Sequence, residues 1–479
     1  MTKDPNANPA PSSEKRRNSR WPCLLALSCL FWLSTNVFLN RRGSTRQSMA
    51  NQIRQNHNDS ASNAVKGQPM MGPVNRSTPS PEQIVATKLS QFGRKRRDLI
   101  HAIARRTQKE IPPEVEKFFD AVEAGNWNEI DNLWKDMAKR SGQYDGSTHS
   151  PELDPFWCAV LETYGAAEQA HDWPAQKLLD YGESILSSLR PGMVYVGGTD
   201  EGRFIPTLLN ETSETEPHIV LTQNALADGR YLEYVRSTYG DRFTAPTDED
   251  SQHAFAEYTA DAQKRLEHDQ NFPNEPKQLR PNEKVEMVDG KVQVSGQVAV
   301  MAINEKILQT IQQKNPDHSF ALQESWPFKG TYSDAVPLGP IMELRAEGGA
   351  KAFTAERAAQ DLDYWRSTAE QLIADPEVSD STVALKSYSH NATAAANLLA
   401  AHNFPDQAEQ TFRISSQLWP GNPEPVAALS ELLNKNGRVE EAQKLFADFI
   451  AKNPEQRSAL ESLRWKATSA PLAPEASLH

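Results

Sequence analysis

Cysteine is scarce, with three residues in 479. Cys23 and Cys29 share one apolar stretch and Cys158 stands alone in the body, so neither a disulfide framework nor a zinc-ligand spacing can be assembled. Redox chemistry therefore names no compartment. Catalytic signatures are missing too: the chain has no HExxH, no GxSxG and no paired Cys/His arrangement. It lacks both the GxGxxG fingerprint and the GxxxxGK[ST] phosphate loop. Its 11 histidines are scattered, and His218, in a short apolar run, reads as core. No metal and no cofactor is expected, and nothing marks the chain as an enzyme.

Long apolar runs are also lacking, with one exception. Residues 21–39, WPCLLALSCLFWLSTNVFL, hold no charge. At helical rise they reach roughly 28 Å, close to the hydrocarbon thickness of a bilayer. Lys15, Arg16, Arg17 and Arg20 precede the run, and Arg41 and Arg42 follow it, which mildly favours a cytoplasmic N-terminus. A cleaved signal peptide would want small residues at the exit, and TNVFLNRRGS is a poor fit. A lipoprotein signal would end the apolar run at its cysteine, and this run continues past Cys29. The expectation is a single-pass transmembrane helix in the inner (cytoplasmic) membrane, with a short basic tail at 1–20 and the body in the periplasm.

Charge divides the chain in two. Residues 1–110 hold 19 Lys/Arg against 6 Asp/Glu, and the remainder holds 32 against 57. An acidic body repels phosphates and excludes nucleic acid as the main partner. A basic arm suits a lipid bilayer surface.

Residues 40–90 are rich in Asn, Ser, Gln and Pro and poor in large apolar side chains, a tether composition. Arg94–Lys95–Arg96–Arg97 begins an amphipathic helix, so 40–110 reads as a disordered basic tether plus that helix. It is either a solvated helix face or a contact with anionic lipid. From 111 to 190 apolar residues recur at helical spacing in two hairpins. Phe118, Phe119 and Val122 face Ile130, Leu133, Trp134 and Met137 across Gly125–Asn126. A second pair turns at Asp172–Trp173–Pro174.

Residues 191–346 differ. Short β-branched runs at 194–196, 218–222, 319–325 and 341–346, with a hairpin signal at 285–294, alternate with helical patterns at 228–239, 251–268 and 297–314. The expectation is an α/β domain with some parallel pairing.

Residues 347–468 hold a helix at 354–374 and then a repeat. Leu399, Ala408, Phe412 and Pro420 recur 34 residues later as Leu433, Ala442, Phe446 and Pro454, the tetratricopeptide period. Small Ala lets paired helices approach, Phe fills the groove to the next hairpin, and Pro ends the second helix. The tail from 469 to 479 reads as frayed. The expected fold is mainly α, with an α/β middle domain and a C-terminal tetratricopeptide-type solenoid.

One candidate binding set stands out. VYVGGTDEGRF, 194–204, runs from a strand through Gly197–Gly198 into a helix. The next strand ends in Thr222–Gln223–Asn224. Ligands of open α/β sheets gather beyond such strand ends. Asp200, Arg203, Gln223, Asn224 and Asp228 would then form a polar set able to hold a sugar or nucleotide. The bland alternative makes Thr199, Asp200 and Asp228 helix N-caps and Gly–Gly a turn.

The blocks GGTDEGRF, LTQNALADGRYLEYVR and VDGKVQVSGQVAVMAIN resemble an uncharacterised bacterial family of membrane-anchored tetratricopeptide-repeat proteins, over about 155–345. That resemblance implies an envelope protein and no particular reaction. The leading expectation is a membrane-anchored interaction scaffold of the cell envelope with a protein or peptide partner. The alternative is an envelope enzyme or sensor that binds a sugar or nucleotide in the α/β domain.

Overall fold

The computed structural model describes residues 78–468, save Asp145, Pro281, Asp289, Ala346, Glu347 and Asp380. It is mostly helical with a small mixed sheet. The membrane reading is corrected here. Among the described residues no helix is long and apolar enough to cross a membrane. The stretch 21–39, the basic tail at 1–20 and the tail at 469–479 lie outside the described residues. The lack of a membrane-crossing helix among the described residues runs against a transmembrane, signal-anchored protein of the inner membrane with a periplasmic body.

Of the reading at 40–110, the tether at 40–77 lies outside the described residues, and the part that is described packs as a helix that begins before the basic cluster. Helix α1 (Pro81–Thr107) starts at a capping box, where Ser80 accepts from the Gln83 backbone and the Gln83 side chain returns to the Ser80 N–H. Its apolar face, Val85, Leu89, Phe92, Ile100 and Ile103, is buried. The helix packs on α2 (Pro113–Glu123) and α4 (Asp154–Asp172). Its basic cluster is largely paired within the protein. Arg94 meets Glu123 at 3.1 Å, and Arg97 meets Glu123 at 2.8 Å and Glu116 at 3.4 Å. Arg96, 3% exposed, meets Glu162 at 2.7 Å and Glu211 at 3.6 Å. A burial that leaves a guanidinium hydrogen-bonded to one carboxylate and ion-paired with a second is a structural use of charge, not a lipid contact.

Helices α2 and α3 (Trp127–Ala138) form the first hairpin, and α4 and α5 (Ala175–Leu186) the second. Gly125 turns the first with φ +67°.

The middle section follows the expected alternation. It contains β1 (Val194–Gly197), α6 (Asp200–Glu211), β2 (Ile219–Thr222), α7 (Gly229–Tyr239) and α8 (Asp248–Asn271). After them come the hairpin β3 (Lys284–Val288) and β4 (Lys291–Ser295), then α9 (Gln297–Lys314) and β5 (Phe320–Gln323). Two short strands, β6 (Val336–Leu338) and β7 (Ile341–Leu344), complete the main sheet. Its order is β2–β1–β5–β7–β6, and β3–β4 stand apart. Strand β1 pairs in parallel with β2 (Val194 opposite Ile219) and with β5 (Val194 opposite Phe320). β7 is antiparallel to both β5 and β6.

The C-terminal part comprises α10 (Ala355–Ala374), the short α11 (Pro376–Ser379), and the hairpins α12–α13 (Thr382–Ala401, Pro405–Leu418) and α14–α15 (Pro423–Lys435, Val439–Lys452). Helix α16 (Arg457–Thr468) ends the described chain. At the repeat positions Leu399, Leu433, Ala408, Ala442 and Phe412 are buried. Phe446 is half-buried, and Pro420 and Pro454 are exposed just past α13 and α15. The helical and sheet parts are not separate bodies. One continuous buried core runs from Val85 through β1 and β5 to Ala442, with a small second cluster around Val426, Phe449 and Leu460.

Candidate functional site

Three parallel strands deliver their carboxyl ends to one edge. β1 continues into Gly198–Thr199, β2 into Gln223–Asn224, and β5 into Glu324–Ser325. The chain leaves β1 for β2 on one side and returns to β5 on the other. Right-handed crossovers then place α6 and α9 on opposite faces. This edge is thus a topological switch point, the location at which open sheets of this kind bind ligands.

The edge is filled by the protein's own polar groups. Gln323, 1% exposed, offers its Oε1 to the Gly198 N–H at 3.0 Å and the Thr199 N–H at 2.9 Å. Its Nε2 donates to Asn391 Oδ1 of α12 at 2.8 Å. Gln223 Oε1 accepts from the Ser325 N–H at 2.9 Å, and its Nε2 donates to the Trp326 carbonyl at 2.9 Å. Asn224 Nδ2 donates to the Gly198 carbonyl at 3.1 Å. Ser325 Oγ lies 2.9 Å from both Gln223 Oε1 and Asn224 Oδ1. Gly198 has to be glycine: a Cβ there would overlap the Gln323 carbonyl and the Ser325 amide and stand 2.7 Å from Gln223 Oε1.

The five residues read from the sequence therefore separate. Gln223 and Asn224 meet in this network. Asp200, at the start of α6, pairs with Arg203 one turn on, at 2.8 Å, and the Arg203 guanidinium lies 4.1 Å over the Phe204 ring. Thr199 is the α6 N-cap and accepts from the Gly202 N–H at 2.9 Å. Asp228 is an N-cap as well: it accepts from the Arg230 N–H at 2.8 Å and opens α7.

Sequence reasoning missed the partners from distant segments. Glu324, 4% exposed, has Tyr332 Oη at 2.8 and 2.7 Å from its two oxygens. Burial pushes this carboxyl up to about 7, against the opposing pull of the Tyr332 hydrogen bond and of His390. Glu201 is also held above the ordinary range, by burial and by Asp200 beside it. His390, in α12, places Nε2 at 2.8 Å from the Glu324 carbonyl and Nδ1 at 2.9 Å from Glu424 Oε2. Both neighbours are acceptors only, so both ring nitrogens carry protons and the ring is an imidazolium. Burial alone would lower its pKa; the Glu424 carboxylate, its hydrogen bond and the Glu324 carbonyl together raise it to about 9. A ring held in this way has no free lone pair to accept a proton, so it is unsuited to general-base work.

Beside Glu324 a narrow crevice separates β5 and β7 from α12. Leu322, Ile341, Met342, Asn391 and Leu398 line it, and it has room for about one water. Among the described residues no group of three or more His, Cys, Asp or Glu is placed to hold a metal.

No protein-family model matches the chain, and no curated protein and no solved structure matches it.

Proposed function

We propose that this protein is an interaction scaffold in which tetratricopeptide-type hairpins receive a peptide or protein partner. The observation that carries the reading is the repeated packing of α12–α13 and α14–α15. Leu399 and Leu433, and likewise Ala408 and Ala442, are buried at positions 34 residues apart. Two copies that bury the same positions argue for stacked units of one type. The α/β part supports recognition over turnover, because its strand-end donors and acceptors are bonded to one another.

The first hairpin's inner helix is already engaged, since α12 lies against β6 and β7. The face left for a partner is therefore the continuation along α14. One turn and two turns beyond Glu424 on the same face stand Ala428 and Glu431, with Lys435 a turn further. Glu431 and Lys435 pair at 2.6 Å at the surface. The test is capture of partners by the full chain and by a Glu431→Lys, Lys435→Glu double variant. The scaffold reading expects a specific partner to be lost from the variant while its melting temperature is unchanged. Equal capture by both proteins would reject this face.

A second reading keeps the switch point as a sugar or nucleotide site, favoured by its place at the end of β1. A thermal-shift screen of the full chain against sugars and nucleotides tests it. A hit that Asp200→Ala abolishes would displace the scaffold reading.

A further inference from the structure

His390 is one of the contacts at which the C-terminal hairpins meet the sheet edge. Its ring bridges the first turn of α14, through Glu424, to the end of β5, through the Glu324 carbonyl. The adjacent Asn391 orients Gln323, and Gln323 in turn occupies the donors of the β1–α6 turn. The groups that act on the ring are nearly all acids: Glu424 from α14, Glu324 from β5, and Glu201 with Asp200 behind it from α6. Tyr332 bonds Glu324, and Tyr181 of α5 accepts from Asn391 at 3.3 Å. One cation therefore serves several carboxyls drawn from three separate elements.

We propose that His390 acts as a cationic latch: as an imidazolium it holds α12 and α14 against the strand-end edge, and loss of its charge releases the hairpins from the sheet. A neutral imidazole can donate from one nitrogen only. Deprotonation would therefore leave a lone pair facing either the Glu424 carboxylate or the Glu324 carbonyl, which is repulsive in a half-buried place. The raised pKa agrees with the geometry and puts the release on the alkaline side of neutrality. Removing the Glu424 carboxylate instead weakens the charged form from outside, so a partner that captures Glu424 would have the same effect at neutral pH.

Two measurements on the full-length chain decide it. In a nitrogen-15 histidine titration, His390 should carry two ring protons at pH 8 and lose one well above the ordinary imidazole value of about 6.5. In hydrogen exchange at one fixed pH, Glu424→Gln and His390→Gln should lower protection of α12 and α14 about tenfold or more, while α2 and α3 stay as in the parent. A His390 ring that loses its proton near that ordinary value overturns the latch. So does parent-like exchange in Glu424→Gln, a surface change that removes the charge without removing bulk. If His390→Gln fails to fold, the titration and the Glu424 variant still give the answer.

Discussion

At the scale of single residues, buried charge and missing side chains decide most. Arg96 is enclosed by Glu162 at 2.7 Å and Glu211 at 3.6 Å, and Tyr234 hydrogen-bonds Glu162 as well. Removing one member of such a set strands the others in a poor solvent for charge. Arg96→Ala is expected to cost roughly 3–5 kcal/mol in denaturant unfolding. Arg96→Lys should recover only part of this, because one ammonium cannot serve two carboxylates as a guanidinium does. In the sequence Arg96 was one basic residue of four, and nothing in their spacing distinguished it from its exposed neighbour Arg94. Gly198 is a second such point. Gly198→Ala must push apart β5 and the Gln223 amide, so a loss of about 1–3 kcal/mol is expected, read as a fall in melting temperature. Here the Gly–Gly pair was visible in the sequence, and its reason was not: the backbone that crowds Gly198 belongs to residues 323–325.

At the scale of elements, periodicity was a sound guide. Alternating and helical patterns correctly located β1, β2, β5, β7, the β3–β4 hairpin and α7 to α10, since those patterns reflect which face each element buries. Strand β6 escaped notice because Val336–Pro337–Leu338 is three residues long and is ordered only by pairing with β7. The two repeat copies differ in a testable way. Phe412 is 1% exposed, whereas Phe446, its counterpart, is half-buried, with α16 the last helix after it among the described residues. Phe412→Ala should cost about 3–5 kcal/mol, and Phe446→Ala distinctly less. Equal losses would mean that the second hairpin is covered as fully as the first.

At the scale of the whole molecule, several raised pKa values act together. Glu324 and Asp361 are pushed by burial to about 7, from 4.5 and 3.8, and His390 rises from 6.5 to about 9. In each case the folded state holds its proton more tightly than the unfolded chain. The stabilisation is complete below the unfolded pKa and is lost as pH rises through the folded one. For the two carboxyls that window runs from about pH 4 to 7, and for His390 from about 6.5 to 9. The melting temperature is therefore expected to fall as pH is raised from 5 to 9. Glu324→Gln should flatten the part below pH 7, and His390→Gln the part above it. A melting temperature that rises across this range would contradict the assignment.

Local composition and spacing were enough to locate most of the helices and strands, and to show that the chain past residue 110 is acidic and mainly helical. Those properties depend on neighbours in the chain. The fate of the basic cluster, the saturation of Gln223 and Asn224, and the charge on His390 were decided by tertiary structure. Each depends on a partner far away in sequence: Glu162 for Arg96, Ser325 for Gln223, Glu424 and Glu324 for His390. A polar side chain's role is set by the group that replaces its water, and only the folded chain determines which group that is.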